Sequence, residues 1–338
     1  GVCEMSNPGP AFPRTVADNP SDPHDREVML KEVLEGLRRH QKELSSKYLY
    51  DAVGSALFED ITRLSEYYPT RTERALLERW MPEWVELERP AALVELGAGS
   101  AEKSRVVLDE MERLDAGNLY VPVDVSGDFL HETAGRLREE YDSLIVRPAV
   151  ADITEPLTLP GKLPEPAWFA LLGSTIGNFD TPQATRLLCR IVGQMRAGDR
   201  FLMGVDLRPG PNKSQERLEA AYDDAAGVTA EFNLNVLTVL NRELGSDFDP
   251  QGFQHEAPYV PEASRVEMHL RATSPQNVHF HGADEDIVFV TGETIRTEIS
   301  CKYNRTAIDG IFSDAGLTVE RWVQDDDGLF ALILARRA

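Results

Sequence analysis

Glu95-Leu96-Gly97-Ala98-Gly99-Ser100 joins a short apolar run, Ala92–Leu96, to a stretch of helical character that begins at Glu102. Two glycines one residue apart let a backbone turn sharply and approach a ligand with no Cβ in the way. In open α/β sheets such strand-to-helix turns are where nucleotide-like ligands sit. A dinucleotide fingerprint requires a third glycine three residues after the second. Glu102 stands there, and its carboxylate is a poor neighbour for a pyrophosphate. The pattern favours a ligand without phosphates, preferably a cation. S-adenosylmethionine (SAM), with a sulfonium, an adenosine and an amino-acid end, has that chemistry, and Lys103 is placed to meet its carboxylate. The next apolar run ends at Asp124, 27 residues past Gly97, where a carboxylate can accept from both ribose hydroxyls. Asp152 follows the third run and is placed to accept from the adenine amine. A plain strand–helix turn flanked by solvated acids is the alternative reading of the same residues.

Those turns need elements to hold them. Residues 1–23 read as a loose, flexible tail broken by Pro8, Pro10, Pro13, Pro20 and Pro23. Arg26–Leu44 carries Leu30, Val33, Leu34 and Leu37 at helical spacing, and a segment rich in Tyr and Phe runs from Tyr48 to Tyr68. Thr70 with Glu73 has capping-box form and predicts a helix over Arg71–Leu87. From Ala92 the pattern alternates. Strands are expected at Ala92–Leu96, Leu119–Val125, Leu144–Val150, Trp168–Leu172 and Arg200–Asp206, and helices at Glu102–Leu114, Gly127–Tyr141 and Thr181–Met195. That rhythm predicts a parallel sheet with helices on both faces.

After Asp206 the rhythm breaks. Ser214–Leu244 reads as a long helical region interrupted near Gly227, and 251–303 as short antiparallel strands: Arg265–Arg271, Val278–His281, Ile287–Val290 and Thr294–Lys302. A helix over Arg305–Ala315 and the pair Val319–Gln324 and Leu329–Arg336, turned at Asp325–Gly328, return to a sheet pattern. The expected architecture is an α/β domain, 72–207 and 303–338, interrupted by an α+β lobe made of 24–71 and 208–302.

Composition narrows the partners. The 338 residues include 35 Lys+Arg against 57 Asp+Glu, a formal net charge of −22, with 42% hydrophobic residues. That is an ordinary globular composition. The acid excess disfavours nucleic acid and anionic membranes, which are held mainly by Lys and Arg, and favours a cationic ligand. No apolar run approaches the roughly 18 residues of a membrane helix, and residues 1–23 contain no signal-peptide-like apolar stretch. Cys3, Cys189 and Cys301 are odd in number and lack CxxC spacing. They predict a reducing, cytoplasmic setting with neither a disulfide framework nor a cysteine metal site. His279 and His281 share a strand face but lack a third ligand nearby, so no metal is expected. Asp223–Asp224 reads as a helix-surface pair.

Five motifs, the glycine turn among them, occur in order: Tyr50–Ser55 (YDAVGS), Glu66–Glu73 (EYYPTRTE), Glu95–Lys103 (ELGAGSAEK), Gly173–Asn178 (GSTIGN) and Tyr222–Thr229 (YDDAAGVT). Together they closely resemble the SAM-dependent histidine Nα-methyltransferases of ergothioneine biosynthesis, from about residue 28 to the C-terminus. The resemblance implies a class I methyltransferase domain with a Rossmann-like sheet, an inserted substrate-binding lobe, and trimethylation of the histidine α-amine to hercynine. It implies SAM contacts at Gly97, Lys103, Asp124 and the Asp152–Ile153 pair. It implies that Tyr67, Asn178 and Tyr222 hold the substrate's α-amino and carboxylate groups, and that Glu298 and Ser300 hold the imidazole. Met268 matches a pocket-wall methionine, and Tyr50 the tyrosine near the reacting nitrogen. Ile153 departs from a position that is often aromatic, and Ala98 and Ser104 replace commoner Ser and Thr.

The implied roles suit the residue types. An Asn amide can donate to a carboxylate and accept from an amine. Glu298 and Ser300 alternate along a strand and share a face; together they can accept from and donate to an imidazole while rejecting an isosteric apolar ring. Phenol faces can stabilise a quaternary ammonium, which has no N–H to donate. The expected catalytic pair is Tyr50 and Asn178, and the expected partners are L-histidine and its mono- and dimethylated forms, bound by a monomer. The same fold acting on another free amino acid is the alternative. A non-catalytic binding module and a nicotinamide-dependent oxidoreductase are the more distant ones.

Overall fold

The computed structural model describes Cys3 and residues 23–338, and the statements below concern these residues. The expected tail, 1–23, lies outside them apart from Cys3 and Pro23. The chain forms two compact units, one containing Pro69–Asn212 and Cys301–Ala338 and the other containing the segment up to Tyr68 and Lys213–Ser300. The units divide after 68, 212 and 300, where the sequence had placed breaks after 71, 207 and 302.

The first unit is built on an eight-stranded sheet. Its order is Leu317–Gln324, Phe330–Arg337, Arg200–Asp206, Ala167–Leu171, Ala92–Leu96 and Leu119–Asp124, with Ile145–Val146 and Ala149–Val150 both pairing with Leu119–Asp124. All pairings are parallel except those of Phe330–Arg337, which runs antiparallel to both neighbours. Every residue of Ala92–Leu96 is buried. Ala92, Val94 and Leu96 pack in one cluster with Leu187, Leu188, Ile308 and Phe312, which lie on the helices Thr181–Gln194 and Arg305–Ala315. Successive side chains leave opposite faces of a strand, so Leu93 and Glu95 point to the other, equally covered face. Burial on both faces makes the strand a continuous apolar run, and its terminal turn is thereby fixed to a rigid edge.

Three expectations are corrected here. Leu144–Val150 is two short strands, because Pro148 lacks an N–H for the ladder. The helix expected from Arg71 starts at Tyr68; Pro69 fits the first turn, where its missing N–H costs nothing, and Glu73 turns inward instead of capping. Cys3 and Cys189 form a disulfide with Cα atoms 5.7 Å apart, against the expectation of none. Separation along the sequence gave no hint of an approach within normal bridging distance. Cys301 is free.

The second unit carries a five-stranded sheet ordered Lys42–Glu43, Thr294–Cys301, Arg265–Ala272 and Phe253–Glu256, with Tyr259–Val260 also pairing with Arg265–Ala272. Gln276–Phe280 and Glu285–Phe289 form a separate antiparallel hairpin. Lys42–Glu43, which the sequence reads as the end of a helix, is a short strand that pairs parallel with Ile295–Arg296. The helix read as Arg26–Leu44 stops at Leu37, which frees the chain to double back. A Cβ on Gly36 would lie 2.3 Å from the Glu43 carbonyl oxygen, so only glycine permits that approach. The region 214–244 splits into Gln215–Ala220 and Val228–Leu244. Gly227, at φ +79°, makes the break. Asp224 is buried, not a surface acid, and accepts from the amides of Val228 (3.0 Å) and Thr229 (2.8 Å), capping the second helix. No helix among the described residues is long and apolar enough to cross a membrane.

Candidate active site

In the first unit the glycine turn follows directly from the buried strand Ala92–Leu96. Gly97 and Gly99 have φ of +70° and +52°, and Ala101 adopts +59° without being glycine. A Cβ built on Gly97 or Gly99 would meet nothing within 4 Å, so the backbone faces open space suited to a ligand. The amides of Gly97 and Ala98 donate to the Val123 carbonyl at 2.8 and 3.0 Å, which fastens the turn to the neighbouring strand. Asp124 ends that strand; its two oxygens accept from the amides of Gly99 (3.1 Å) and Ser126 (3.2 Å). The carboxylate is thus held in place beside the turn.

Two buried acids for which the sequence suggests no role at the loop support it. Glu95 lies beneath it and accepts from Ser104 Oγ and the Tyr120 hydroxyl. Burial pushes its carboxyl up to about 7, opposed by those two hydrogen bonds and by the charge on Lys103. Glu73 pairs with Lys103 Nζ and accepts the Gly173 amide on both oxygens at 2.9 Å. A Cβ on Gly204 would lie 1.7 Å from Glu73 Oε2, so glycine there makes the room. The pairing ties Lys103 to the turn that leads to Asn178. Nothing in the pattern flagged Glu73 except its false resemblance to a capping residue.

Asp152 Oδ1 accepts from the amide (2.8 Å) and hydroxyl (2.6 Å) of Thr154, a local turn that orients the carboxyl. Ile153 is half-buried and packs against the main core. Asn178 closes the 3₁₀ turn Thr175–Asn178 after Ala167–Leu171. Gly173 and Ser174 enter that turn at φ +75° and +55°. A Cβ on Gly177 would sit 2.7 Å from the Cys301 carbonyl oxygen. The Asn178 amide has no hydrogen-bond partner among the described residues and is half-buried, which leaves both its donor and its acceptor for a ligand.

The second unit gathers most of its predicted residues into one aromatic cluster. The Tyr50 ring packs edge-on against Phe58 (5.7 Å between centroids) and Phe232 (5.4 Å). Tyr67 meets Phe58 at 6.3 Å and Tyr222 at 6.1 Å. The Tyr50 hydroxyl donates to Glu298 Oε1 at 3.3 Å, longer than an ordinary hydroxyl hydrogen bond. Burial, reinforced by the Glu298 charge, holds the Tyr50 phenol well above its usual range, so it stays neutral. The hydroxyls of Tyr222 and Ser300 lie 3.0 Å apart in hydrogen-bond contact. Met268 is buried on the adjacent strand, where its carbonyl accepts from Thr297 Oγ1 at 3.2 Å. Its side chain joins the others by position only. Phe58 and Phe232 were missed because an isolated phenylalanine reads as core.

The family is decided by a model that matches residues 29–337: the histidine-specific, SAM-dependent methyltransferases. The chain belongs to that family. A Histidine N-alpha-methyltransferase from Mycobacterium tuberculosis is 41% identical over 92% of this chain and 95% of its own. An L-tryptophan methyltransferase from Psilocybe serbica is 29% identical over 94% of both. Ergothioneine biosynthesis protein 1 from Neurospora crassa is 27% identical over 87% of this chain and 33% of that one. As a member of this methyltransferase family the chain is a SAM-dependent enzyme, and the open glycine turn beside Asp124 suits that cofactor. Asp124 is held against the turn through the Gly99 amide, and a carboxylate there fits a cationic ligand better than a pyrophosphate.

Proposed function

We propose that this enzyme transfers three methyl groups in succession from SAM to the α-amino nitrogen of L-histidine, through the mono- and dimethylated forms, giving hercynine for ergothioneine biosynthesis. The observation that carries this reading is the convergence of Glu298 and Ser300 with Tyr50 and Tyr222 in the second unit. A carboxylate and a hydroxyl on one strand face, next to phenols, match the donor and acceptor of an imidazole. The names of the relatives above, one for histidine and one for ergothioneine biosynthesis, support the same substrate.

SAM supplies an electrophilic methyl on a positively charged sulfur. Gly97, Lys103, Asp124, Asp152 and Ile153 would hold it, with Asp124 on the ribose and Asp152 and the Ile153 backbone at adenine. In our reading Asn178, Tyr67 and Tyr222 hold the amino-acid end of histidine, Glu298 and Ser300 hold its ring, and Met268 walls the pocket. Such displacement needs a neutral amine aimed in line with the breaking bond, so positioning supplies most of the acceleration. Tyr50 and Asn178 are the groups we place at the reacting nitrogen. Because burial keeps Tyr50 neutral, it serves as a hydroxyl partner and not as a phenolate base. Phenol and phenyl faces take over as N–H groups are replaced by methyls, since a quaternary ammonium is attracted to ring faces. We further propose a monomer without nucleic-acid or anionic-membrane partners, the exclusion of those partners being supported by the net charge of −22; the Cys3–Cys189 disulfide removes the cysteine argument for a reducing, cytoplasmic setting.

Incubating the purified protein with SAM and histidine, followed by mass spectrometry, tests the reading. A product heavier by three CH2 units, one proton leaving with each methyl gained, is expected; unmodified histidine would refute it.

A further inference from the structure

Behind the aromatic cluster lies a buried polar chain within the second unit that no role above uses. Thr297 Oγ1 donates to Asn233 Oδ1 at 2.6 Å. Asn233 Nδ2 contacts the His269 carbonyl at 3.1 Å and His255 Nδ1 at 2.8 Å. His255 Nε2 contacts the Tyr222 carbonyl at 2.8 Å. Asn233 and Thr297 are fully buried, and His255 is 6% exposed.

The two backbone carbonyls can only accept, and this fixes the protons on Asn233 and His255. The Asn233 nitrogen must face the His269 carbonyl, so its amide donates and His255 Nδ1 accepts. The Tyr222 carbonyl requires a proton on Nε2. Both ends therefore demand one state, the neutral Nε2–H tautomer of His255. A second proton on Nδ1 would set N–H against N–H. Burial lowers the His255 pKa, although the Asp223 carboxylate lies 3.8 Å from Nε2 and Asp224 and Glu256 also raise it.

The chain also has a definite geometry. It starts at Thr297, next to Glu298 and three residues before Ser300, and it ends on the backbone of Tyr222, whose hydroxyl returns to Ser300. It closes a ring that joins the strand proposed to grip the imidazole to the turn proposed to grip the amino-acid end. We propose that Asn233 and His255 are positioning residues that set the spacing between Tyr222 and the Glu298–Ser300 pair, and so the fit of histidine. The inference rests on the substrate reading given above.

The test compares full-length wild type with His255→Phe and His255→Gln. SAM affinity is measured by calorimetry, and kcat and KM for histidine by product mass. Removing the imidazole's hydrogen bonds to the Tyr222 carbonyl and to one Asn233 N–H costs about 1–3 kcal/mol, which corresponds to roughly a ten- to hundredfold rise in histidine KM for His255→Phe. SAM affinity is expected to hold within about twofold. The glutamine amide can accept from Asn233 and donate to Tyr222, so His255→Gln is expected to recover most of the loss. Nitrogen NMR of wild type should show His255 as the Nε2–H tautomer. An unchanged KM in His255→Phe, no recovery in His255→Gln, or a parallel loss of SAM affinity overturns the positioning role while hercynine still forms in wild type. Absence of methylated histidine from wild type instead overturns the substrate reading, and the positioning role falls with it.

Discussion

The two units solve the problem of presenting a ligand site in different ways. In the first, the groups we propose to face the cofactor sit at the ends of neighbouring parallel strands, and much of the surface is backbone: Gly97 and Gly99 at positive φ, with Asp124 held by the amide of Gly99. In the second, the facing groups are side chains drawn from segments far apart; Tyr50 and Glu298 meet across 248 residues, and Tyr222 and Ser300 across 78. A backbone-built site depends on turn geometry, local in sequence and repeated in many proteins. A side-chain-built site depends on tertiary packing and can be re-specified residue by residue. Substitutions in the first unit should therefore alter cofactor binding or stability, and those in the second should alter acceptor choice and rate.

The largest effect is expected beneath the glycine turn. Glu95 has a folded-state value of about 7 against an ordinary 4.5, so its charged form is the penalised one. The penalty is absent below about pH 4.5, grows through the window and is complete above about pH 7. Relative to Glu95→Gln, wild type is expected to lose about 3 kcal/mol across that window, at 1.36 kcal/mol per unit. Urea unfolding of both proteins at pH 4.5 and 8 checks this, and parallel curves would contradict it. Next in size, Asp124→Ala should weaken SAM binding about a hundredfold by removing a charged hydrogen-bond acceptor. Histidine affinity, measured separately by calorimetry, is expected to change little. A comparable loss of both would erase the division of labour between the units.

Smaller changes should come from the second unit. Glu298→Gln is expected to raise histidine KM by a few tens-fold, about 2 kcal/mol for a charge-assisted hydrogen bond, with SAM affinity retained; steady-state kinetics at saturating SAM would show it. Tyr50→Phe keeps the ring against Phe58 and Phe232 but removes the hydroxyl. It should slow single-turnover methyl transfer by about tenfold, the scale of one hydrogen bond, with a smaller change in histidine affinity. An unchanged transfer rate would remove Tyr50 from the chemistry.

What the sequence discloses follows the same division. The strand–helix alternation from Ala92 to Asp206 was legible because doubly buried strands are continuous apolar runs and their turns need glycine. The helix Arg305–Ala315 and the strand Arg200–Asp206 were placed to the residue. Errors came where one residue type serves two purposes. Thr70 and Glu73 look like a capping box, yet Glu73 is buried against Lys103 and the Gly173 amide. Asp224 looks like a surface acid and is a buried helix cap. In the second unit, Asn233, His255, Phe58 and Phe232 carry no local pattern, since their contacts are set by strand pairing and helix packing. Tyr50, Tyr67, Tyr222, Glu298 and Ser300 are assigned there only through a family resemblance, and periodicity alone would have left them as core or solvated face.

The most direct test of histidine selection is a competition. Equimolar free amino acids, tryptophan among them, are incubated with SAM and the wild-type enzyme, and all methylated products are quantified by mass spectrometry. Hercynine as the dominant product is the expected result, because Glu298 and Ser300 offer an imidazole partners that an indole or an alkyl chain cannot use. Preferential methylation of tryptophan or another amino acid would contradict it, leaving the fold and the cofactor in place and the acceptor pocket misread.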